Sequence, residues 1–264
     1  MIAMTEQTTK HTALITGASS GIGLDLAHLF AADGHDVVLV ARSEGKLREL
    51  ARELETKHRV SARVIVADLS KREAPREVFE AAGNVDVLVN NAGYGLSGKF
   101  AETDLRTELD MIQVNVTALV HLTKLFLPPM VARGRGRILN VASTAAFQPG
   151  PLMAVYYATK SFVLSFSEAI AEELRDSGVT VTALCPGPTA TGFQETANMG
   201  GETLLKLMKP VSSMDVARAG YRALMRGQRV SIPGMKNKLG VQSLRVTPRG
   251  VVTKIVRALQ ERRS

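Results

Sequence analysis

Short β-branched apolar runs alternate along the chain with longer segments that carry apolar residues at helical spacing. We predict six strands, at residues 13–16, 37–40, 64–67, 85–89, 137–141 and 179–184, and five helices, at residues 21–33, 43–58, 71–81, 104–131 and 155–176. Because strand–helix–strand repeats require right-handed crossovers, this alternation produces a parallel sheet with helices on both faces. The predicted fold class is therefore α/β, with a doubly wound parallel sheet.

Composition fits one globular domain with a sizeable core. The chain has 264 residues, of which 45% are hydrophobic and 22% charged. The single cysteine, Cys185, excludes an intrachain disulfide framework, and the five histidines form no ligand motif, so we expect no metal. The longest apolar run is interrupted by Pro128 and Pro129, and the N-terminus lacks the apolar middle of a signal peptide. We expect a cytoplasmic protein with a domain at residues 10–232 and an extension at residues 233–264.

The charge of the chain is concentrated in this extension. The formal net charge is +8, and the basic residues from position 228 onward are Arg229, Lys236, Lys238, Arg245, Arg249, Lys254, Arg257, Arg262 and Arg263, against one acid, Glu261. The rest of the chain is neutral, which argues against a protein that coats nucleic acid as a whole; a DNA- or RNA-binding protein that uses this tail is the rival class.

The tail also has an apolar periodicity. Helical spacing relates Val251, Val252, Ile255, Val256 and Leu259, so we predict a basic amphipathic helix. Three partners are open for it: the parent domain, a neighbouring subunit, or anionic lipid headgroups.

A glycine-rich turn follows the first predicted strand and leads into an apolar helix. Its sequence is Thr-Gly-Ala-Ser-Ser-Gly-Ile-Gly, and the candidate cofactor-binding residues are Gly17, Ser19, Ser20, Gly21, Ile22 and Gly23. Glycines permit close approach of the backbone to a pyrophosphate, and the helix N-terminus offers unpaired N–H donors. A turn of this kind can also serve only to start a helix, but its position after the first strand favours a dinucleotide site.

The ends of the next two strands bear on the identity of the cofactor. A dinucleotide fold that prefers NAD usually places an acid after the second strand, where this chain has Arg42. A guanidinium suits the 2′-phosphate of NADP; the alternative is an exposed arginine before a helix cap at Ser43. Asp68 and Leu69 follow the third strand, where the carboxylate can bind an adenine amine or cap the next helix.

A candidate catalytic group follows the fifth strand. Ser143 ends that strand, and Tyr156 and Lys160 lie four residues apart on the next helix, hence on one face. An ammonium beside a phenol stabilises the phenolate and lowers its pKa, which prepares the tyrosine for proton transfer. Tyr157 competes, but its partner at the same spacing is the uncharged Ser161. Tyr-x-x-x-Lys alone is common by chance, so its meaning depends on the accompanying motifs.

Together these motifs resemble the short-chain dehydrogenase/reductase superfamily over residues 10–232. The glycine turn resembles that family's cofactor loop, Asn115 resembles the helix residue of its catalytic tetrad, and Ser143, Tyr156 and Lys160 match the other three members. The resemblance implies a Rossmann-type fold. It also implies cofactor contacts at Asn90, Ala92, Gly93, Tyr156, Lys160, Pro186, Gly187 and Thr189. Many relatives that prefer NADP have a basic residue in the glycine loop, where this chain has serines, so Arg42 carries most of the discrimination.

The resemblance further implies a role for each tetrad member. Tyr156 would donate a proton to a substrate carbonyl while the nicotinamide delivers hydride, and Ser143 would hydrogen-bond the same oxygen. Lys160 would bind the nicotinamide ribose and lower the tyrosine pKa, and Asn115 would hold a water that connects the lysine to solvent. We expect NADP(H), with NAD(H) as the alternative, and a homodimer or homotetramer.

Three segments should border the substrate, and their side chains are mainly apolar. They are residues 94–96, residues 147–153 and the stretch after Thr189, which contains Phe193, Met199, Leu204, Leu205, Leu207 and Met208. We therefore predict an oxidoreductase that reduces a hydrophobic ketone or 3-oxoacyl substrate, similar to bacterial ketosteroid and 3-oxoacyl reductases. The third stretch can also be the core face of a lid helix. The rival functions are an NAD(H)-dependent alcohol or hydroxysteroid dehydrogenase and a non-catalytic NADP-binding sensor.

Overall fold

The computed structural model describes residues 10–190 and 211–261. The strands are β1 (Thr12–Thr16), β2 (Asp36–Ala41), β3 (Ala62–Val66), β4 (Val87–Asn90), β5 (Gly136–Val141), β6 (Val179–Leu184), β7 (Thr189–Ala190), β8 (Val211–Ser212) and β9 (Val230–Ser231). The helices are α1 (Gly21–Ala32), α2 (Glu44–His58), α3 (Ala74–Ala82), α4 (Leu105–Ile112), α5 (Leu119–Ala132), α6 (Ala154–Glu173), α7 (Ser213–Met225), α8 (Met235–Leu244) and α9 (Arg249–Glu261).

Seven strands form one parallel sheet in the order β3-β2-β1-β4-β5-β6-β9, and β7 pairs with β8 separately. The pairing of β1 with both β2 and β4 puts the reversal of strand order at its carboxyl end. In sheets of this class the ligand cleft opens at that point. The doubly wound fold is therefore confirmed.

Helices cover both faces of the sheet, so the strands are apolar on both sides. The adjacent residues Leu14 and Ile15 of β1 are each fully buried, although they point to opposite faces. On one face the core contains Leu26, Phe30, Leu47 and Leu54. On the other it contains Leu88, Leu122, Phe126 and Met130. This two-sided burial explains the near-continuous Val, Leu and Ile runs.

Two predicted elements need correction. The sheet has a seventh strand, β9, whose two residues are too short to give a recognisable run in the sequence. The single helix predicted at residues 104–131 is α4 and α5 joined by a π-helical turn, Gln113–Ala118. Hydrophobic periodicity does not report one extra residue in a helical turn, and such turns often mark functional sites.

One helical stretch, Leu105–Ala132, is long and apolar enough to cross a membrane by length and composition. In the fold, Leu122, Phe126 and Met130 of this stretch are buried against the sheet. This core position accounts for its apolar composition, and the two prolines that interrupt it lie inside α5.

The C-terminal segment folds back onto the parent domain. Val252 and Val256 of α9 are each 5% exposed and belong to a core cluster with Met153, Tyr156 and Tyr157. Of the three partners open from the sequence, the parent domain receives this face of the helix. The neighbouring face, with Val251, Ile255 and Leu259, is exposed. Arg262 and Arg263 lie outside the described residues.

Candidate active site

A cavity of about 1130 Å³ opens at the carboxyl ends of the strands. Most of the residues predicted for cofactor binding and catalysis lie in its wall: Gly17, Ser19, Ser20, Gly21, Ile22, Arg42, Asp68, Leu69, Ala92, Gly93, Ser143, Tyr156, Lys160, Pro186, Gly187 and Thr189. The fold thus brings together residues that are up to 172 positions apart, from Gly17 to Thr189.

The glycine turn forms a cradle that side chains would fill. Gly17 has φ +67°, and its N–H donates to the Val40 carbonyl at 2.8 Å. A Cβ on Gly17 would lie 2.8 Å from Asn91 Nδ2, and one on Gly23 would lie 2.3 Å from the Gly17 carbonyl oxygen. The glycines therefore let the turn pack closely on itself and on Asn91. Ser20, the N-cap residue of α1, makes no side-chain cap hydrogen bond and lines the cavity with Gly21 and Ile22, so the start of this helix fits the pyrophosphate of a dinucleotide. Gly23 itself lies behind the cavity wall and serves the packing of α1.

Positive charge lies beside this cradle. Arg42 is exposed at the end of β2 and lines the cavity, and Lys46 in the first turn of α2 lines it too. The sequence interpretation missed Lys46, which lies in the first turn of the helix that follows Arg42. Ser43 is the N-cap residue of α2 but makes no side-chain cap hydrogen bond. Two cations can therefore meet a phosphate here.

The structure does not make Asp68 a helix cap, because α3 begins at Ala74 and its N-cap residue is Glu73. Contact with an adenine amine stays a prediction. Asp68 Oδ1 accepts a hydrogen bond from the Ser70 N–H at 3.1 Å, and the residue also lines the cavity. Burial alone would raise its pKa, but the hydrogen bonds from Ser70 outweigh burial and lower the pKa below its usual value. The carboxylate is therefore charged at neutral pH.

The two adjacent asparagines at the end of β4 have different environments. Asn90 was expected to contact the cofactor, but its side chain is buried and donates to Asn140 Oδ1 at 2.9 Å. Asn91 lines the cavity instead, and its Nδ2 donates to the Thr16 carbonyl at 2.9 Å. Adjacent residues at a strand end point to opposite faces, so only one of the pair can reach the cleft.

Three of the four predicted catalytic residues, Ser143, Tyr156 and Lys160, line the cavity, and the buried Tyr156 and Lys160 mark its inner end. Lys160 Nζ lies 5.9 Å from the centre of the Tyr156 ring and donates to the Val141 carbonyl at 2.8 Å. Ser143 hydrogen-bonds the Tyr156 side chain. Its Oγ also accepts from the Ala145 N–H at 3.1 Å, which fixes the serine at the start of a 3-10 turn.

Asn115 hydrogen-bonds the backbone of the segment that lies beside Lys160. In the π-helical turn its amide accepts from the Tyr94 N–H at 3.1 Å and donates to the Tyr94 carbonyl at 2.9 Å. A Cβ on Gly93 would lie 2.8 Å from Asn115 Oδ1 and 3.4 Å from Lys160 Nζ. The glycine therefore lets the asparagine and the lysine approach each other.

Burial sets the protonation of the catalytic pair. It raises the pKa of Tyr156 to about 12 and lowers the pKa of Lys160 to about 8. The lowered pKa expected for Tyr156 from the sequence is not found, because desolvation of the phenolate raises the pKa by more than the hydrogen bond with Ser143 lowers it. Tyr156 thus keeps its proton at neutral pH, as a proton donor must, and most of the lysine remains cationic at pH 7.

The lone cysteine lies under this site and is inert. Cys185 is fully buried, and burial raises the pKa of its thiol to about 12. The residue directly precedes the Pro186–Gly187 turn and packs in a core cluster with Ala142 and Ala183.

The outer end of the cavity is lined by two of the expected segments and by the C-terminal helices. The predicted segments contribute Tyr94, Gly95, Gln148 and Met153. The stretch from Phe193 to Met208 lies outside the described residues. Sequence reasoning missed the contribution of α8 and α9, which comprises Lys236, Asn237, Gly240, Val241, Leu244, Val256, Leu259 and Gln260.

This geometry agrees with the comparison to known families. The sequence profile described as short chain dehydrogenase matches residues 11–200. The chain belongs to the short-chain dehydrogenase/reductase family, and it is an oxidoreductase of that kind.

Relatives include an uncharacterised oxidoreductase of Staphylococcus epidermidis, 32% identical over 84% of this chain and 94% of that protein. A putative ketoacyl reductase of a monensin polyketide synthase from Streptomyces virginiae is 40% identical over 74% of this chain and 76% of its own length.

Similar solved structures differ in the cofactor that they hold. A short-chain dehydrogenase from Sphingobium yanoikuyae in complex with NADPH has a TM-score of 0.80, with 33% identity over 90% of this chain and 96% of that one. A bulky-bulky ketone specific alcohol dehydrogenase from Comamonas testosteroni has a TM-score of 0.76, with 31% identity over 92% and 96%. One from Burkholderia phymatum in complex with NAD has a TM-score of 0.79, with 26% identity over 88% and 92%. A nicotinamide dinucleotide is therefore the cofactor class.

Proposed function

We propose that this protein is an NADP(H)-dependent reductase of bulky hydrophobic ketones or 3-oxoacyl compounds. The observation that carries the proposal is a cavity with a proton-bearing Tyr156 at its inner end and, at its outer end, a group of apolar side chains from Met153 and the two C-terminal helices. A sensor that only binds the cofactor does not need a buried tyrosine beside a buried lysine.

The bound cofactor supplies the hydride that reduces the carbonyl carbon. Tyr156 gives its hydroxyl proton to the carbonyl oxygen, and Ser143 hydrogen-bonds the same oxygen and holds it in line with the tyrosine. The ammonium of Lys160 stabilises the phenolate that is left, and Asn115 fixes the wall against which the lysine lies. The phenolate regains its proton from solvent.

Arg42 and Lys46 support NADP(H) as the cofactor. A 2′-phosphate carries more charge than a ribose hydroxyl, and the pair of cations at the end of β2 matches it. Use of NAD(H) is the alternative, and relatives with either cofactor exist.

Apolar residues at the outer end support the substrate class. Met153, Leu244 and Val256 offer contacts to a hydrocarbon group, and Gln148 and Asn237 in the same wall can hydrogen-bond a polar atom of the substrate. Two similar proteins, a putative ketoacyl reductase and a bulky-bulky ketone specific alcohol dehydrogenase, are named for substrates of this kind.

A panel of compact and bulky ketones, assayed with NADPH and NADH, tests the proposal. We expect faster turnover with NADPH and with bulky ketones, and a loss of roughly 10²–10⁴-fold for Tyr156→Phe. Tyr157→Phe is the matched control for loss of a neighbouring hydroxyl, and it should retain turnover of compact ketones. If Tyr156→Phe keeps full activity, the assigned mechanism is wrong; if no ketone is reduced, the sensor alternative gains support.

A further inference from the structure

The last helix of the described chain forms part of the wall on the substrate side. Val256, Leu259 and Gln260 of α9 line the same cavity as Tyr156. Gln260 is only 4% exposed, and its Nε2 donates to the Tyr157 hydroxyl oxygen at 2.9 Å. Rings of Tyr156 and Tyr157 lie 6.0 Å apart and nearly perpendicular, so α9 is one side chain away from the proton donor.

Helix α8 attaches the same segment to the other side of the cleft. A Cβ on Gly187 would lie 2.6 Å from the Asn237 amide, so α8 packs closely on the turn that is expected to border the nicotinamide. Asn237 also donates to the Pro233 carbonyl at 2.7 Å, which fixes the start of the helix. The C-terminal segment is thus held at two points, and four of the apolar residues between them line the cavity: Val241, Leu244, Val256 and Leu259.

We infer that α9 determines which substrates this site accepts, with Val256 and Leu259 as an apolar wall against the bulky substituent of the ketone and Gln260 as a positioning residue that fixes the wall through Tyr157. The inference rests on the proposed function. It assigns selectivity to a segment beyond the catalytic motifs, where the apolar pattern of the sequence suggested only a docking helix.

The chemistry of the wall indicates how selectivity arises. A side chain in contact with the substituent changes the binding free energy in proportion to the apolar area that it buries or prevents from being buried. One methylene group in such a pocket changes selectivity roughly 10–200-fold. These contacts lie away from the carbonyl, so they should act on KM and on discrimination between substrates rather than on proton transfer. Turnover of a compact ketone and affinity for NADPH should remain unchanged.

A matched pair of tryptophan variants tests the wall directly. Leu259 and Ile255 are one turn apart on α9 and similarly exposed, at 43% and 52%. Of these two, Leu259 lines the cavity and Ile255 does not. We expect Leu259→Trp to raise KM for a bulky ketone at least roughly tenfold and to leave KM for a compact ketone unchanged. Ile255→Trp should match the unmodified protein on both ketones.

The positioning role has a separate test. Gln260→Leu and Tyr157→Phe each remove the bond between α9 and the catalytic helix, so both should lower selectivity for the bulky ketone through KM, with kcat on the compact ketone retained. Gln260→Glu keeps an acceptor and the length of the side chain, and it should restore much of the selectivity because the Tyr157 hydroxyl can then donate. A merely structural role would lower kcat on both ketones together.

Ligand binding keeps this test separate from the test of the proposed function. Binding of each ketone to the NADPH complex is measured by NADPH fluorescence for all variants in the Tyr156→Phe background, where slow turnover leaves the cofactor reduced during the measurement. If the unmodified protein binds bulky ketones but does not reduce them, the proposed function fails and the variants still test the wall. The inference is overturned if Leu259→Trp behaves as Ile255→Trp does, or if the unmodified protein binds no bulky ketone.

Discussion

Lys160 places a cation where the fold disfavours one. The side chain is 5% exposed, and its pKa falls from 10.5 to about 8, a shift worth about 3 kcal/mol against the charged form. Below pH 8 both the folded and the unfolded chain bind the proton, so the full destabilisation is present. Between pH 8 and 10.5 the folded chain releases it first, and stability rises with pH.

We predict that Lys160→Met is at least as stable as the unmodified protein at pH 7. Removal of the buried charge should raise the free energy of unfolding by up to roughly 3 kcal/mol, and loss of the hydrogen bond to Val141 should offset part of this gain. Urea unfolding at pH 7 and pH 10 measures this difference, which should shrink at the higher pH. Turnover should fall by at least roughly 10²-fold. Lys124→Met, on the exposed side of α5, is the control. A clear loss of stability at pH 7 would contradict the assigned cost of burial.

Charge reversal at the end of β2 should change the cofactor preference. Arg42→Asp combined with Lys46→Ala removes two cations and adds a repelling carboxylate, so KM for NADPH should rise roughly 10–100-fold while KM for NADH falls or stays constant. The control is Arg48→Ala, because Arg48 lies on α2 with Lys46 but does not line the cavity. Equal use of both cofactors by the unmodified protein would refute the assignment.

At the scale of elements, a buried chain of polar side chains joins β4 and β5 to the helices on one face. Asn90 Nδ2 donates to Thr123 Oγ1 on α5 at 3.1 Å and to Asn140 Oδ1, and Asn140 Nδ2 donates to Ser167 Oγ on α6 at 2.9 Å. The carboxyl ends of these strands hold the catalytic turns. Their alignment with the helices therefore matters for the site as well as for stability.

Asn140→Ala should lower the free energy of unfolding by roughly 1–3 kcal/mol, because it removes two buried hydrogen bonds and leaves a void. Denaturant midpoints measure this loss. Asn84→Ala, an exposed asparagine before β4, should be neutral within roughly 0.5 kcal/mol. An unchanged midpoint for Asn140→Ala would show that the polar chain contributes nothing to stability.

Elements with strong periodicity were predictable, and tertiary contacts were not. The strand predicted at residues 179–184 agrees with β6, since four of its six residues are β-branched valines and threonines, which favour strands. The π-helical turn around Asn115, the role of Asn91 and the raised pKa of Tyr156 depend on neighbours far away in sequence. Likewise, the pattern of α9 predicted an amphipathic helix, but which surface it covers depends on a cleft formed by the rest of the chain.

For the whole molecule, we propose that a second copy covers an apolar stripe on α4. Leu105, Leu109 and Ile112 are exposed at helical spacing, with exposed fractions of 68%, 54% and 37%. A homodimer or homotetramer would bury them, as is typical of the family. Sedimentation should show an oligomer that Leu109→Lys dissociates, while Leu239→Lys on α8 leaves it intact. A monomer for the unmodified protein would exclude this assembly.

Contact of the tail with anionic membranes stays a prediction. The tail's basic residues can attract anionic headgroups, and the exposed Val251 and Ile255 can contact the apolar part of the membrane. The protein should therefore co-sediment with phosphatidylserine vesicles at low salt and be released at high salt. Ile255→Asp should weaken this binding and leave the oligomer unchanged. If no vesicle binding occurs at low salt, the basic surface is only solvated and the expected cytoplasmic location needs no membrane contact.

The buried position of Cys185 makes the chain its own reporter of opening. As the only thiol in 264 residues, it can react with a thiol reagent only when the floor of the cleft comes apart. The labelling rate of the unmodified protein therefore measures how often the Pro186–Gly187 region opens, without any engineered probe. A dinucleotide that spans the cleft should slow this labelling in proportion to its occupancy. The labelling rate then reports the fraction of molecules with bound cofactor, even for a variant that no longer turns over.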